Sequence, residues 1–214
     1  MKSIFDTPYD EEFARLCIMR CFPELKLNLE RSITDPPDLI DNEKNIGVEV
    51  VRATTSKKEQ LKSAFSDYRG VNEAHIPHNL QKKINDKSQG LIYDDDGNVI
   101  GADLGVSSDL YGMIVNAVLN KTKRLNSSTY PSFQENMLFI FNSDGFCFEK
   151  GLKRIANKIR KNVGEQNRCY TTLFIYCSHT VFMVEEAKVD CCQITDAEIE
   201  EMVTNTISNL GRDV

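Results

Sequence analysis

Asp35-Pro36-Pro37-Asp38-Leu39-Ile40-Asp41-Asn42-Glu43-Lys44-Asn45-Ile46-Gly47-Val48-Glu49-Val50-Val51-Arg52-Ala53 is the stretch on which the fold turns. It reads as two short strands joined by a polar turn. Residues 41–45 carry turn chemistry, and residues 46–52 form a run rich in β-branched side chains. Pro37 opens the first strand, where a missing N–H is tolerated. Side chains alternate along a strand, so Ile46, Val48 and Val50 share one face while Gly47, Glu49 and Val51 share the other. A hairpin symmetric about Glu43-Lys44 pairs Ile40 with Gly47 and sets Asp38 opposite Glu49. Two carboxylates ~5 Å apart repel unless something positive stands between them. A hard divalent cation, which takes oxygen ligands, resolves that conflict.

Pro37-Asp38, ten intervening residues and then Glu49 on a hydrophobic strand resemble the PD-(D/E)XK nuclease superfamily. The resemblance implies an α/β fold with a restriction-endonuclease-like αβββαβ core, a mixed central sheet flanked by helices. It also implies that Asp38 and Glu49 hold Mg²⁺ or Mn²⁺, and that a lysine two residues after the glutamate activates or orients the attacking water. Val51 stands at that place instead. The run from Ile46 to Ala53 is similar to a bacterial and phage subset in which a neighbouring helix supplies the lysine. Ala117-Val118-Leu119-Asn120-Lys121-Thr122-Lys123-Arg124-Leu125-Asn126, followed by Tyr130-Pro131, is similar to the lysine-bearing helix of that subset, which makes Lys121 the implied replacement. A glutamate on the first helix often completes the family's site. Glu12 matches it, with Glu11 as the neighbouring alternative.

Outward from this stretch, the 214 residues fit one domain of comfortable size, with residues 54–108 as an inserted helical and hairpin elaboration. Hydrophobic residues at 41% and charged residues at 27% are ordinary for a folded soluble chain and exclude disorder. No apolar run approaches the ~20 residues that span a bilayer. Residues 1–6 lack the apolar core of a signal peptide, so a cytoplasmic location and no membrane partner are expected. The seven cysteines include no Cys-x-x-Cys pair, which argues for reduced thiols packed as small hydrophobes rather than for zinc. A net charge of −6 means that nucleic-acid binding must come from a local basic face.

Residues 9–21 read as an amphipathic helix with Asp10, Glu11 and Glu12 in its first turn, where negative charge also suits the helix dipole. Pro23 ends it, and Leu25, Leu27 and Leu29 alternate with polar residues as a half-exposed strand. Residues 53–85 are mostly helical. His75-Ile76-Pro77-His78 is a loop before a helix, because Pro77 prevents one helix from presenting both imidazoles. Residues 91–100 form a hairpin around Asp94-Asp95-Asp96-Gly97-Asn98. That acidic cluster is a solvated turn, since Val99 stands where a calcium loop needs glycine. Residues 109–125 form a helix and residues 137–141 a buried strand. Residues 148–163 form a second amphipathic helix, with Phe148, Leu152, Ile155, Ile159 and Val163 on its apolar stripe. Lys150, Lys153, Arg154, Lys158, Arg160 and Lys161 occupy its remaining surface, with Glu149 its one acid. Residues 173–176 and 181–184 pair as strands before a helix over 195–210.

The functional expectation is metal-dependent hydrolysis of phosphodiester bonds in nucleic acid, with DNA as the substrate. Asp38, Glu49 and Glu12 bind the metal, Lys121 serves the attacking water, and Lys150, Lys153, Arg154, Lys158 and Lys161 contact the backbone. The alternative is a catalytically inactive nuclease-like scaffold that binds nucleic acid or protein, for which Val51 is the main support. A blander reading has Asp38 capping a turn and Glu49 held in a salt bridge. The oligomeric state is left open, a homodimer among the options.

Overall fold

The computed structural model describes residues 7–33, 36–54, 56–85, 90–103, 109–142, 146–164, 166–186 and 188–211. The N-terminal residues 1–6 and Asp35 of the hairpin stretch lie outside them. In chain order the elements are α1 (Thr7–Cys21), β1 (Glu30–Arg31), β2 (Leu39–Asp41), β3 (Ile46–Arg52), α2 (Ser56–Tyr68), α3 (His78–Ile84), β4 (Gly90–Tyr93) and β5 (Val99–Asp103). Next come α4 (Leu110–Leu125), β6 (Glu135–Phe141), α5 (Glu149–Val163), β7 (Thr172–Cys177), β8 (Thr180–Glu185), β9 (Lys188–Gln193) and α6 (Asp196–Asn209).

Two compact units result: Met1–Ala53 with Asp109–Val214, and Thr54–Ser108. The stretch read as an elaboration is thus a unit with its own core, in which Leu61, Ala64, Ile76, Ile84, Leu91 and Val99 are buried. His75 closes a short 3-10 turn and His78 begins α3, so no single helix carries both. Asp94 folds its turn back on itself by accepting from the Asp96 and Asn98 N–H groups, as a solvated turn should.

The larger unit is built on a mixed seven-stranded sheet in the order β1-β2-β3-β6-β7-β8-β9. Strands β3, β6 and β7 run parallel at its centre, and antiparallel pairs extend it on both sides. The alternation along β3 decides what each face carries. Val48 and Val50 pack with α1 and α6 residues such as Phe13, Ile18 and Ile207. Val51 turns to the other face and meets α4 and α5 residues such as Ile114, Val118 and Leu152. Burying each such side chain contributes about 1.5–3 kcal/mol, so the pattern leaves register little freedom.

The hairpin register is the expected one, with Leu39 opposite Val48, Ile40 opposite Gly47 and Asp41 opposite Ile46. Asp41 is buried and secures the turn by accepting from the Lys44 and Asn28 N–H groups, while Asn45 takes the left-handed conformation at φ 53°. Gly47 is required by packing: a methyl group there would lie 2.8 Å from the Phe133 ring.

Two expectations are corrected, and one strand is added. Residues 25–29 form no strand, because Lys26 adopts a left-handed conformation at φ 50° after a 3-10 turn and breaks the extended run. Leu29 is buried all the same. Phe148 does not join the apolar stripe of α5; it is the N-cap and is 68% exposed. Strand β9 was not expected, and it pairs with β8 through residues such as Cys191 and Asp190.

Candidate active site

Strand β3 presents Glu49 on the face that α4 covers, and the Glu49 side chain has no solvent exposure. Lys121 lies in the last turns of α4. The apolar stripe of that helix (Met113, Ile114, Val118 and Leu125) fixes its rotation, and the buried Thr122 hydroxyl bonds back to the Val118 carbonyl. That rotation sends Lys121 Nζ to Glu49 Oε2 as a hydrogen-bonded ion pair. Two residues chosen for the same chemistry, one on a strand and one 72 positions later on a helix, therefore meet.

Asp38 stands one residue before the β2–β3 ladder begins. Its side chain replaces the missing strand bond: the Val50 N–H donates to Asp38 Oδ2 at 2.6 Å. Burial pushes the Asp38 carboxyl up to about 6, and the Glu49 charge pushes the same way, against the Val50 N–H and the Lys121 ammonium. Two carboxylates and one ammonium leave an excess negative charge in a partly buried place.

The acids of α1 separate. Glu12 is buried and satisfied elsewhere: Arg15 grips it through Nε at 2.9 Å and Nη2 at 2.7 Å, and Asn209 of α6 donates to it at 2.6 Å. Burial alone would raise its pKa, but the Arg15 and Asn209 hydrogen bonds prevail and hold it below the usual carboxylate range. Glu12 thus ties α1 to α6, and no bond joins it to Asp38, Glu49 or Lys121 among the described residues. The neighbouring Glu11 bonds Arg31 at 3.2 Å, and its charge reaches Asp38.

Comparison with family models, curated proteins and solved structures finds no match to this chain.

Three further residues complete the setting. Burial first, and the Glu49 charge next, raise the Tyr130 phenol, so it lies within reach of that carboxylate. Yet neither the Tyr130 hydroxyl nor Glu49 Oε1 has a partner at hydrogen-bond geometry, and both are buried. Arg168 presents Tyr130 by donating to the carbonyls of Ser127, Tyr130 and Pro131 at 3.1, 3.3 and 3.0 Å, its guanidinium 5.6 Å from the centre of the Tyr130 ring. Tyr170 donates to the Lys121 carbonyl at 3.4 Å, and burial, then Glu49, raise its pKa too. The words Tyr130-Pro131 came after the lysine helix in the sequence, but nothing in them assigned the phenol a role. No sequence signal pointed to Arg168.

The donor set could hold a metal of one kind. Among the described residues no group of three or more His, Cys, Asp or Glu side chains clusters as a cage. Mg²⁺ commonly takes only one or two carboxylates and completes its shell with water and substrate phosphate. The unpartnered Glu49 Oε1, together with Asp38, suits that habit.

The cations of α5 form no bond with this cluster among the described residues. Lys150, Lys153, Arg154, Lys158 and Lys161 are exposed, and Lys153 pairs with Glu149. No helix among those residues is long and apolar enough to cross a membrane.

Proposed function

We propose that the protein is a metal-dependent nuclease hydrolysing phosphodiester bonds of DNA, on a sheet whose core is restriction-endonuclease-like. One observation supports the reading: Lys121 of α4 reaches Glu49 of β3, beside Asp38, which is where a lysine replacing Val51 in that role would have to be. Asp38 and Glu49 would hold Mg²⁺ or Mn²⁺. The bound ion supplies Lewis-acid polarisation of a phosphoryl oxygen and a more acidic water. The chain supplies the rest. Lys121 Nζ, fixed by Glu49, holds a water oxygen and offsets negative charge as it grows on the phosphate. Tyr130, its phenol kept protonated by burial, stands beside Glu49 as a neutral donor. Glu11, rather than Glu12, is the α1 acid whose charge bears on Asp38.

The same ion pair favours a second reading. A Glu49–Lys121 pair is electrically complete without any ion, which suits an inactive scaffold. Cleavage of single-stranded, duplex and branched DNA with and without Mg²⁺ separates the two. The nuclease reading expects Mg²⁺-dependent cleavage that Lys121→Ala and Lys121→Gln abolish. It expects exposed Lys123→Ala to retain cleavage, two residues being about 200° of helix rotation. Wild type that cleaves nothing, and whose melting temperature Mg²⁺ and Mn²⁺ leave unmoved, hands the site to the scaffold.

A further inference from the structure

Just before α5 the chain runs Phe146-Cys147-Phe148. Cys147 is 8% exposed and packs inward, whereas Phe146 and Phe148 are 69% and 68% exposed. Phe148 has extended geometry at φ −126° and ψ 143°. Out, in, out is the alternation of extended chain, and a chain extended through all three residues would send both rings out on one side, rooted about 7 Å apart at ~3.3 Å per residue. A flat ring in contact with an aromatic carbon lies ~3.5 Å from it, so that gap admits one planar heterocycle between the two phenylalanines.

The helix beyond Phe148 is cationic on its outer side. Lys150, Arg154, Lys158 and Lys161 fall within about 80° of one another around α5, at 100° per residue, and so form one stripe some 17 Å long. All four are exposed, and none has an ion-pair partner among the described residues. The opposite side of the helix (Leu152, Ile155, Ala156 and Ile159) is buried in the core, so α5 cannot lay an apolar face into a bilayer. A charged track ending at open aromatic rings matches a polyanion that carries flat bases free to unstack.

We propose that Phe146, Phe148 and the outer face of α5 bind single-stranded nucleic acid, the two rings clamping one unpaired base while Lys150, Arg154, Lys158 and Lys161 track the phosphates. This deepens the nuclease reading, and rests on it only in naming nucleic acid as the partner. It adds that the strand reaching this face is single.

The test is fluorescence anisotropy of the full chain with a labelled oligothymidylate of ~20 nucleotides, a duplex of equal length, and phosphatidylserine vesicles, in EDTA at ~50 mM salt. The expected result is single-strand binding at least tenfold tighter than duplex binding. Phe146→Ala with Phe148→Ala should lose about tenfold or more on the single strand and nothing on the duplex. Phe146→Trp with Phe148→Trp should retain single-strand affinity. Lys150→Glu with Arg154→Glu and Lys158→Glu should remove both kinds of binding. The positions changed are all exposed, so circular dichroism should be unchanged in every variant. Equal affinity for both nucleic acids, no binding to either, indifference to the alanine pair, or ring-dependent binding to vesicles alone would each overturn the proposal. Binding read in EDTA needs no cleavage, so its failure leaves the hydrolytic reading standing. Failure of the Lys121 experiment likewise leaves this one standing.

Discussion

Asp38→Asn keeps the shape of the side chain and removes its charge, which makes it the sharpest probe of the carboxylate pair. In the metal-free protein the Asp38 carboxyl is raised from 3.8 to about 6, by burial first and by Glu49 second. The folded state therefore holds that proton more tightly than the unfolded chain does. The stability this confers is fully present below pH ~4 and is lost as pH rises through about 6. At ~1.4 kcal/mol for each tenfold in proton affinity, the ionised Asp38 costs the folded protein about 3 kcal/mol at pH 8. The asparagine oxygen can still accept from the Val50 N–H, and its amide can donate toward Glu49. Asp38→Asn should thus match wild type near pH 4 and exceed it by roughly 1–3 kcal/mol at pH 8, a few degrees in melting temperature. Urea denaturation in EDTA across this range measures the difference. Saturating Mg²⁺ should then close the gap by stabilising wild type, at about 2.7 kcal/mol for a concentration one hundred times Kd. A variant less stable than wild type at pH 8, or a gap that ignores pH, would refute the like-charge account of this pair.

The same geometry bears on other positions. Lys121→Ala strands a fully buried carboxylate, so the metal-free variant should lose about 3–5 kcal/mol near neutral pH, and thermal melts should show Mg²⁺ recovering part of it. Glu12→Ala should cost a similar amount by removing the acceptor that both Arg15 and Asn209 bond, yet leave the Mg²⁺-induced shift in melting temperature as in wild type; a lost shift would return Glu12 to the site. Gly47→Ala must displace the Phe133 ring and should cost about 1–3 kcal/mol by chemical denaturation.

The parts of the fold legible in sequence are those where a period meets a clear stop. Alternation through Ile46, Val48 and Val50, closed by the Asp41–Asn45 turn, determined which residue faces which across the hairpin. The apolar steps of α4 determined the side on which Lys121 lies. Strand β9 escaped because Lys188, Asp190 and Gln193 at a sheet edge need no apolar face; hydrogen bonding to β8 makes it a strand. Residues 25–29 misled for the opposite reason, since their leucines pack on the core without extended backbone. Glu11 and Glu12 differ by 100° of rotation, and only the docking of α1 against α6 decides which one turns toward Asp38. Tyr130 and Arg168 are 38 positions apart, and no local pattern joins a phenol to the guanidinium that props it.

The strand bearing Glu49 and the helix bearing Lys121 are neighbours in space, but Thr54–Ser108 intervenes as a unit with its own core. For an unstructured connection of that length, shortening to about ten residues would change the closure entropy by only ~1.5 kcal/mol. The connection also carries a core of its own, made of residues other than those buried in the main sheet. Measured by closure entropy, the pairing of Glu49 with Lys121 depends only weakly on the length of chain that separates them.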